Sequence, residues 1–193
     1  TPPRSVLFMA FGAEESGLLG SQAFAERPTL PLDRLAAVLN LDIMNLFGAT
    51  RDIAALGADQ SSLGSVFVTA ARAEGLAVTT DSAGLIRGSF FRSDHFPLAR
   101  AGVPALSVES GRSFVGKPED WGAEQTRDYT ATRYHQPQDE MVPWYSMDGA
   151  LQQLRVVLRT AVLVATAPEQ PSWNPESEFR AAGQERLRSL PSH

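Results

Sequence analysis

The chain contains no cysteine among its 193 residues, so disulfides and thiolate metal sites are both excluded. It carries no excess of positive charge: 17 Lys and Arg stand against 22 Asp and Glu, for a formal net charge of -5. That balance gives no basic footprint for nucleic acid or an anionic membrane. There is no apolar run of about 18 residues such as a transmembrane helix requires. The longest apolar stretch, Leu154 to Ala167, is broken by Arg155 and Arg159 and reads as an amphipathic helix. A signal-peptide pattern is missing, as is any internal repeat. The sequence opens on Thr1-Pro2-Pro3-Arg4 without a Met, and so reads as a fragment of something longer.

What is present suits one core: 43% of the residues are hydrophobic. Apolar runs alternate with helical patterns. Arg4 to Gly12 reads as a buried strand, Gly17 to Glu26 as a helix ending before Pro28, and Leu35 to Ile43 as a second buried strand. Asp52 to Leu56 and Leu76 to Thr79 read as short strands flanking a helix over Ser61 to Glu74, which Gly75 stops. Ser93-Asp94 caps a helix to Arg100, Val103 to Val108 is a further strand, and Glu109 to Tyr134 reads as loop. Ser146 to Ala165 is the long closing helix. Residues 168–193 are polar and Pro-bearing, a tail that wraps the surface or is partly disordered, following one folded unit over 1–167. The alternation predicts an α/β three-layer sandwich with a mixed, largely parallel sheet between helices.

In such folds ligands gather beyond the carboxyl ends of the strands. Glu14-Glu15 follows the first apolar run, and Asp42 follows the second. Two adjacent carboxylates can simply be an acidic pair favoured by the dipole at a helix start. With no cation near them in sequence, a metal ion is the other natural partner: one carboxylate binds it and the neighbour moves a proton. Asp42 sits among Leu41, Ile43 and Met44, where an unpaired charge is costly, so ligation or a helix-end hydrogen bond must satisfy it. His135 lies in a polar Tyr-His-Gln-Pro-Gln-Asp loop. Either it has no metal role, or it is a ligand whose second N–H is received by Asp139. His95 competes with it, but falls in the first turn of a helix. The aromatics Phe114, Trp121 and Tyr129 either line a side-chain pocket or pack the loop that carries them.

Taken together, Phe11-Gly-Ala-Glu-Glu-Ser-Gly-Leu-Leu-Gly-Ser21, Asn40-Leu-Asp-Ile43, Arg92-Ser-Asp-His-Phe-Pro-Leu98, Gly102-Val-Pro-Ala105 and Tyr134-His-Gln-Pro-Gln-Asp139 occur in the order of the co-catalytic, dinuclear zinc aminopeptidases. The chain resembles the secreted bacterial leucyl aminopeptidases of that family, which also includes glutamate carboxypeptidase, glutaminyl cyclases and the non-enzymatic transferrin receptor. The resemblance spans about Arg4 to Ala165, and the ending Trp173-Asn-Pro-Glu-Ser-Glu-Phe-Arg180 resembles that of bacterial members. It implies Glu14 as general base, Glu15 and Asp42 as ligands of one zinc, and His135 as a ligand of the other. Asp94, His95, Tyr134 and Asp139 become supporting or substrate-side residues. It further implies a peptide substrate, metal-activated water, and a periplasmic or secreted setting.

The same resemblance implies two more ligands, a His in a His-x-Asp motif and a bridging Asp in an Asp-Asn-x-Ser-Gly-like segment. Neither motif occurs in this sequence. The expectation is therefore an incomplete site, inactive alone unless a complementing chain or an oligomer supplies the rest. A non-catalytic binding module and, less so, a glutaminyl cyclase are the alternatives.

Overall fold

The computed structural model describes residues 2–80 and 88–188. Its sheet has the strands β1 (Val38–Asn40), β2 (Asp52–Leu56), β3 (Ala77–Thr79) and β4 (Ala105–Ser110), in the spatial order β1-β4-β2-β3. β1 runs parallel to β4 and β3 parallel to β2, while β2 and β4 are antiparallel, in register at Ile53 with Ser110 and Leu56 with Ser107. Around it lie the helices α1 (Leu19–Glu26), α2 (Leu63–Ala73), α3 (His95–Arg100), α4 (Trp121–Thr132), α5 (Asp148–Thr166) and α6 (Arg180–Arg188). This is the mixed α/β sandwich expected. No helix among the described residues is long and apolar enough to cross a membrane.

Strand side chains alternate between faces, and the cores follow that period. Leu106 and Val108 of β4 join Ile53, Phe67, Val156 and Val164 in the core beneath α2 and α5. Ala105 faces the other way, with Leu56, Phe90, Trp173 and Phe179. A third cluster, Leu35, Leu98 and Val103, lies beside it.

Several expectations are corrected. Arg4 to Gly12 is not a strand: it runs irregularly, with Phe8 91% exposed and Val6 and Leu7 each 52% exposed. Apolar continuity marks a strand only where a neighbour supplies the ladder, and no described residue pairs with this segment. It is held at its start, where the Arg4 guanidinium donates to the carbonyls of Val164, Ala167 and Pro168 and caps α5 electrostatically. Further on, Met9 and Phe11 pack against the Leu35 cluster. The second expected strand shrinks to Val38–Asn40, so Asp42 lies beyond it rather than in it.

Within the expected loop 109–134 stands α4. It shows no apolar stripe to be read, because only Gly122 is buried; Thr126, Thr130 and Thr132 each bond back to a carbonyl four residues earlier. Within the tail, residues 168–188 pack onto the fold and include α6. Gly102 (φ 93°) explains how it docks: a Cβ there would stand 2.4 Å from the Ala182 carbonyl oxygen, so only glycine lets α6 approach.

Candidate metal and proton-transfer site

The Glu14-Glu15 corner is built by a tight turn. The amides of Gly17 and Leu18 donate to the Glu14 carbonyl at 3.0 and 2.8 Å, turning the chain into α1. Gly20 permits the close approach, since a Cβ at that position would be 2.5 Å from the Gly12 oxygen. Among the described residues, three that are not glycine have φ 59°, in the left-handed region: Ala13, Leu18 and His135. Two flank the Glu pair and the third is the candidate imidazole, so the strained backbone gathers at the site, as it does at functional centres generally.

Elements far apart in sequence converge here. His135 Nε2 lies 2.6 Å from Glu15 Oε1, both side chains being at least half exposed. Tyr134 stacks on the His135 ring, centroids 3.8 Å apart. Burial, then the charges of Glu15, Asp42 and Glu14, raise the Tyr134 hydroxyl above its ordinary range, with Arg92 opposing, so the phenol stays protonated. Burial also raises the Glu14 carboxyl, helped by Glu15, Asp42 and Asp94 and opposed by His135. Glu14, Glu15, Asp42, Asp94, Tyr134 and His135 thus share one electrostatic neighbourhood.

Behind the rim lies a polar network that sequence reasoning did not assign. Ser93 Oγ donates to Asp42 Oδ2 at 2.9 Å, and Asn40 Nδ2 donates to the same Ser93 oxygen at 2.8 Å. Ser21 Oγ donates to Asp94 Oδ1 at 2.6 Å. The expected capping role of Ser93-Asp94 is thereby corrected: neither side chain caps α3, because both are engaged across the fold by Asp42 and Ser21. The signal was available in the polar Asn40 standing inside the otherwise apolar run Ala36 to Leu41.

Two further expectations change. Asp139 does not receive the second N–H of His135; its Oδ2 accepts the Tyr129 hydroxyl at 2.8 Å, and that bond, after burial, holds the phenol near 12. His95 faces away from the site, fully buried against Phe90 with centroids 4.6 Å apart. The loop aromatics divide between their two readings. Phe114 and Trp121 pack on each other at 4.7 Å, whereas Tyr129 leans toward Phe47 and Tyr134 beside the site.

The donor types, two carboxylates and one imidazole, are those zinc accepts. The neighbourhood is also anionic enough to favour a cation. Among the described residues, however, no three His, Asp or Glu side chains stand close enough together to hold a metal ion. Asp42 is turned to Ser93, leaving the Glu15–His135 pair as the only direct contact between the expected ligands. These residues fit part of a metal site.

The Glu14 shift carries a stability sign. A carboxyl whose folded pKa is raised penalises folding once ionised, so stability is lost as pH climbs from its ordinary 4.5 through the raised value. Glu14→Gln is expected to raise the melting temperature at pH 7. The gain is small because the group is solvent-screened, and wild type and variant converge at pH 3. Thermal scans at both pH values check this; a variant less stable at pH 7 contradicts it.

No curated protein matches the sequence. Among solved structures, an aminopeptidase from Aneurinibacillus sp. strain AM-1 shares the fold at a TM-score of 0.50 and 23% identity, covering 86% of this chain and 34% of that one. The chain thus spans about a third of the length of that structure. Residues 1–161, which include every residue of the converging site, match the model of peptidase family M28, and the chain belongs to that family.

Proposed function

We propose that this chain is part of a zinc-dependent exopeptidase that removes N-terminal residues from peptides, and that it contributes the proton-transfer group and a share of the metal ligands. The observation that carries the reading is the 2.6 Å contact between Glu15 and His135, 120 positions apart in sequence, with Asp42 and Glu14 in the same electrostatic neighbourhood. Glu15, Asp42 and His135 would hold zinc. When bound, zinc would polarise the scissile carbonyl and acidify water.

The chain's own residues do the rest. Glu14, its carboxyl raised above the ordinary range by burial and by its acidic neighbours, takes a proton from water at one oxygen and returns it to the departing amine. Tyr134, kept protonated by the surrounding carboxylates, donates a hydrogen bond to the carbonyl oxygen as negative charge grows there. Ser93 and Asn40 hold Asp42 in one orientation.

A second reading, a non-catalytic binding module, has one observation in its favour: no three-donor group forms among the described residues. A catalytic zinc needs about three protein ligands, so the chain by itself is expected to bind zinc weakly and to turn over no substrate. Zinc competition against a chromophoric chelator tests this. We expect a dissociation constant weaker than about 1 μM, roughly tenfold weaker still in Glu15→Gln or His135→Ala, and unchanged in Glu14→Gln. Equal binding by all variants, or none at millimolar zinc, removes the metal assignment. Release of an aminoacyl chromophore at the level of an intact family member removes the incompleteness. Pyroglutamate formation without amino-acid release would favour the cyclase chemistry instead.

A further inference from the structure

Where the tail docks, the surface holds a groove of about 480 Å³, and none of its lining residues belongs to the converging site. That volume is within the range of small-molecule sites, about 300–1,000 Å³. Pro31 and Leu32 reach the groove from the single turn Leu32–Arg34 and the residue before it. Ala101, just after α3, and Ala182 of α6 extend the apolar lining. Two charged residues of opposite sign, Asp33 and Arg186, are set among them, and each has hydrogen-bonding capacity to spare.

Arg186 is only 8% exposed. A guanidinium carries N–H donors on all three of its nitrogens. Nε donates to Gly102, and Nη1 donates to Leu32 and Leu35. Nη2, with its pair of N–H groups, has no acceptor among the described residues. Asp33 is the complement: its Oδ1 is shut off from solvent and accepts no hydrogen bond from a described residue. No ion pair joins the two among the described residues. The Asp33 charge acts on the guanidinium at a distance, opposing the lowering of its pKa by burial. Glu185, also on the lining, is engaged elsewhere, with Arg188 at 2.6 Å. An unfilled donor fork and an unfilled carboxylate oxygen, both largely withdrawn from water, are costly unless a bound group serves them.

We propose that this groove binds a free α-amino acid with an apolar side chain, its carboxylate on the Nη2 amino group of Arg186 and its ammonium on Asp33. Charge complementarity selects that class. A simple carboxylate would leave Asp33 unserved, and a simple amine would leave Arg186 so; a zwitterion carries both groups on one carbon and leaves its side chain for Pro31, Leu32, Ala101 and Ala182. An α-amino acid is also what the proposed reaction would release, but the chemistry of the groove stands without the peptidase reading.

Isothermal titration calorimetry in excess chelator tests it with L-leucine, L-leucinamide and N-acetyl-L-leucine. L-Leucine is expected to bind with a dissociation constant below about 1 mM. Each analogue, lacking one of the two charges, should bind at least about tenfold more weakly. Asp33→Asn should erase the preference for L-leucine over N-acetyl-L-leucine, whereas Glu15→Gln should bind L-leucine as wild type does. If Asp33→Asn fails to fold, amide chemical shifts of the wild type decide: L-leucine should move Asp33, Ala101, Ala182 and Arg186, and leave Glu14 and Glu15 in place. Absence of L-leucine binding, equal affinity for the three compounds, or shifts confined to other residues overturns the proposal. Binding lost in Glu15→Gln and kept in Asp33→Asn puts the amino acid in the converging site, which overturns the proposal and leaves the peptidase reading standing.

Discussion

Lowering the pH from 7 to 4 is expected to cost the fold about 3 kcal/mol through one side chain, His95. The imidazole is fully buried at the start of α3, where the Phe90 backbone is the polar group beside it. Its ring meets Phe90 edge to face, and Phe90 leans in turn on Phe179 of the tail. Burial drives its pKa from the ordinary 6.5 down to about 4, an effect the Phe90 backbone opposes without reversing. Because the unfolded chain binds the proton more readily, this contribution is complete above pH 6.5 and drains away as pH falls toward 4, more than half of it by pH 5. Urea unfolding at pH 7 and pH 5 measures the loss. In His95→Met, which fills similar volume without a titrating group, the difference between the two pH values should shrink by about 2 kcal/mol. Stability at pH 7 should change little, since a buried neutral ring is exchanged for an apolar side chain of similar volume. An unchanged pH difference in His95→Met would place the acid sensitivity in the carboxylates of the site instead.

The elements legible in the sequence were those whose apolar pattern is answered by a neighbour inside the same chain. Asp52 to Leu56 is flanked by β3 and β4 and appears with its expected bounds; α2 and α5 appear within two residues of theirs. Ser5 to Gly12 has the stronger strand composition and forms no strand, because strand formation is settled between segments rather than within one. The converse holds for α4 and α6. Their sequences are polar with no apolar face to betray a helix, and local carbonyl bonds or tail docking hold them instead.

The site was legible as residues and not as contacts. Glu14, Glu15 and Asp42 could be singled out because carboxylates that close apolar runs need partners, and His135 through the resemblance carried by its Tyr-His loop. Which partner each takes depends on the path of the chain between them. Nothing in the sequence pairs Ser93 with Asp42 across 51 positions, or Ser21 with Asp94 across 73. Asp139, four residues from His135, was the obvious neighbour in sequence and goes to Tyr129 instead. The turn that gives His135 its left-handed backbone directs the imidazole toward Glu15.

Removing the indole of Trp173 is expected to destabilise the fold by about 3–5 kcal/mol, lowering the melting temperature by roughly 10 °C. The tail is a strap with two anchors on one carbonyl: Trp173 Nε1 and Arg186 Nε each donate to the Gly102 oxygen at 3.0 Å. Arg186 Nη1 also donates to Leu32 and Leu35, each at 2.9 Å, tying the strap to the chain entering β1. The indole packs on Phe179, centroids 4.9 Å apart, and lies so close under α6 that a Cβ at Gly183 would meet its ring at 2.6 Å. Trp173→Ala therefore empties a buried aromatic site and strips Gly102 of one donor. Trp173→Phe keeps most of the apolar volume, loses only the hydrogen bond, and should cost about 1–2 kcal/mol. Thermal unfolding of both variants orders them; a Trp173→Ala melting point within 2 °C of wild type would make the strap dispensable. Gly102 terminates α3, whose first residues follow Ser93 and Asp94, so hydrogen exchange in the alanine variant should quicken in α3 as well as in α6. Exchange quickened in α6 alone would mean that the strap closes the core without bracing the side chains that hold Asp42.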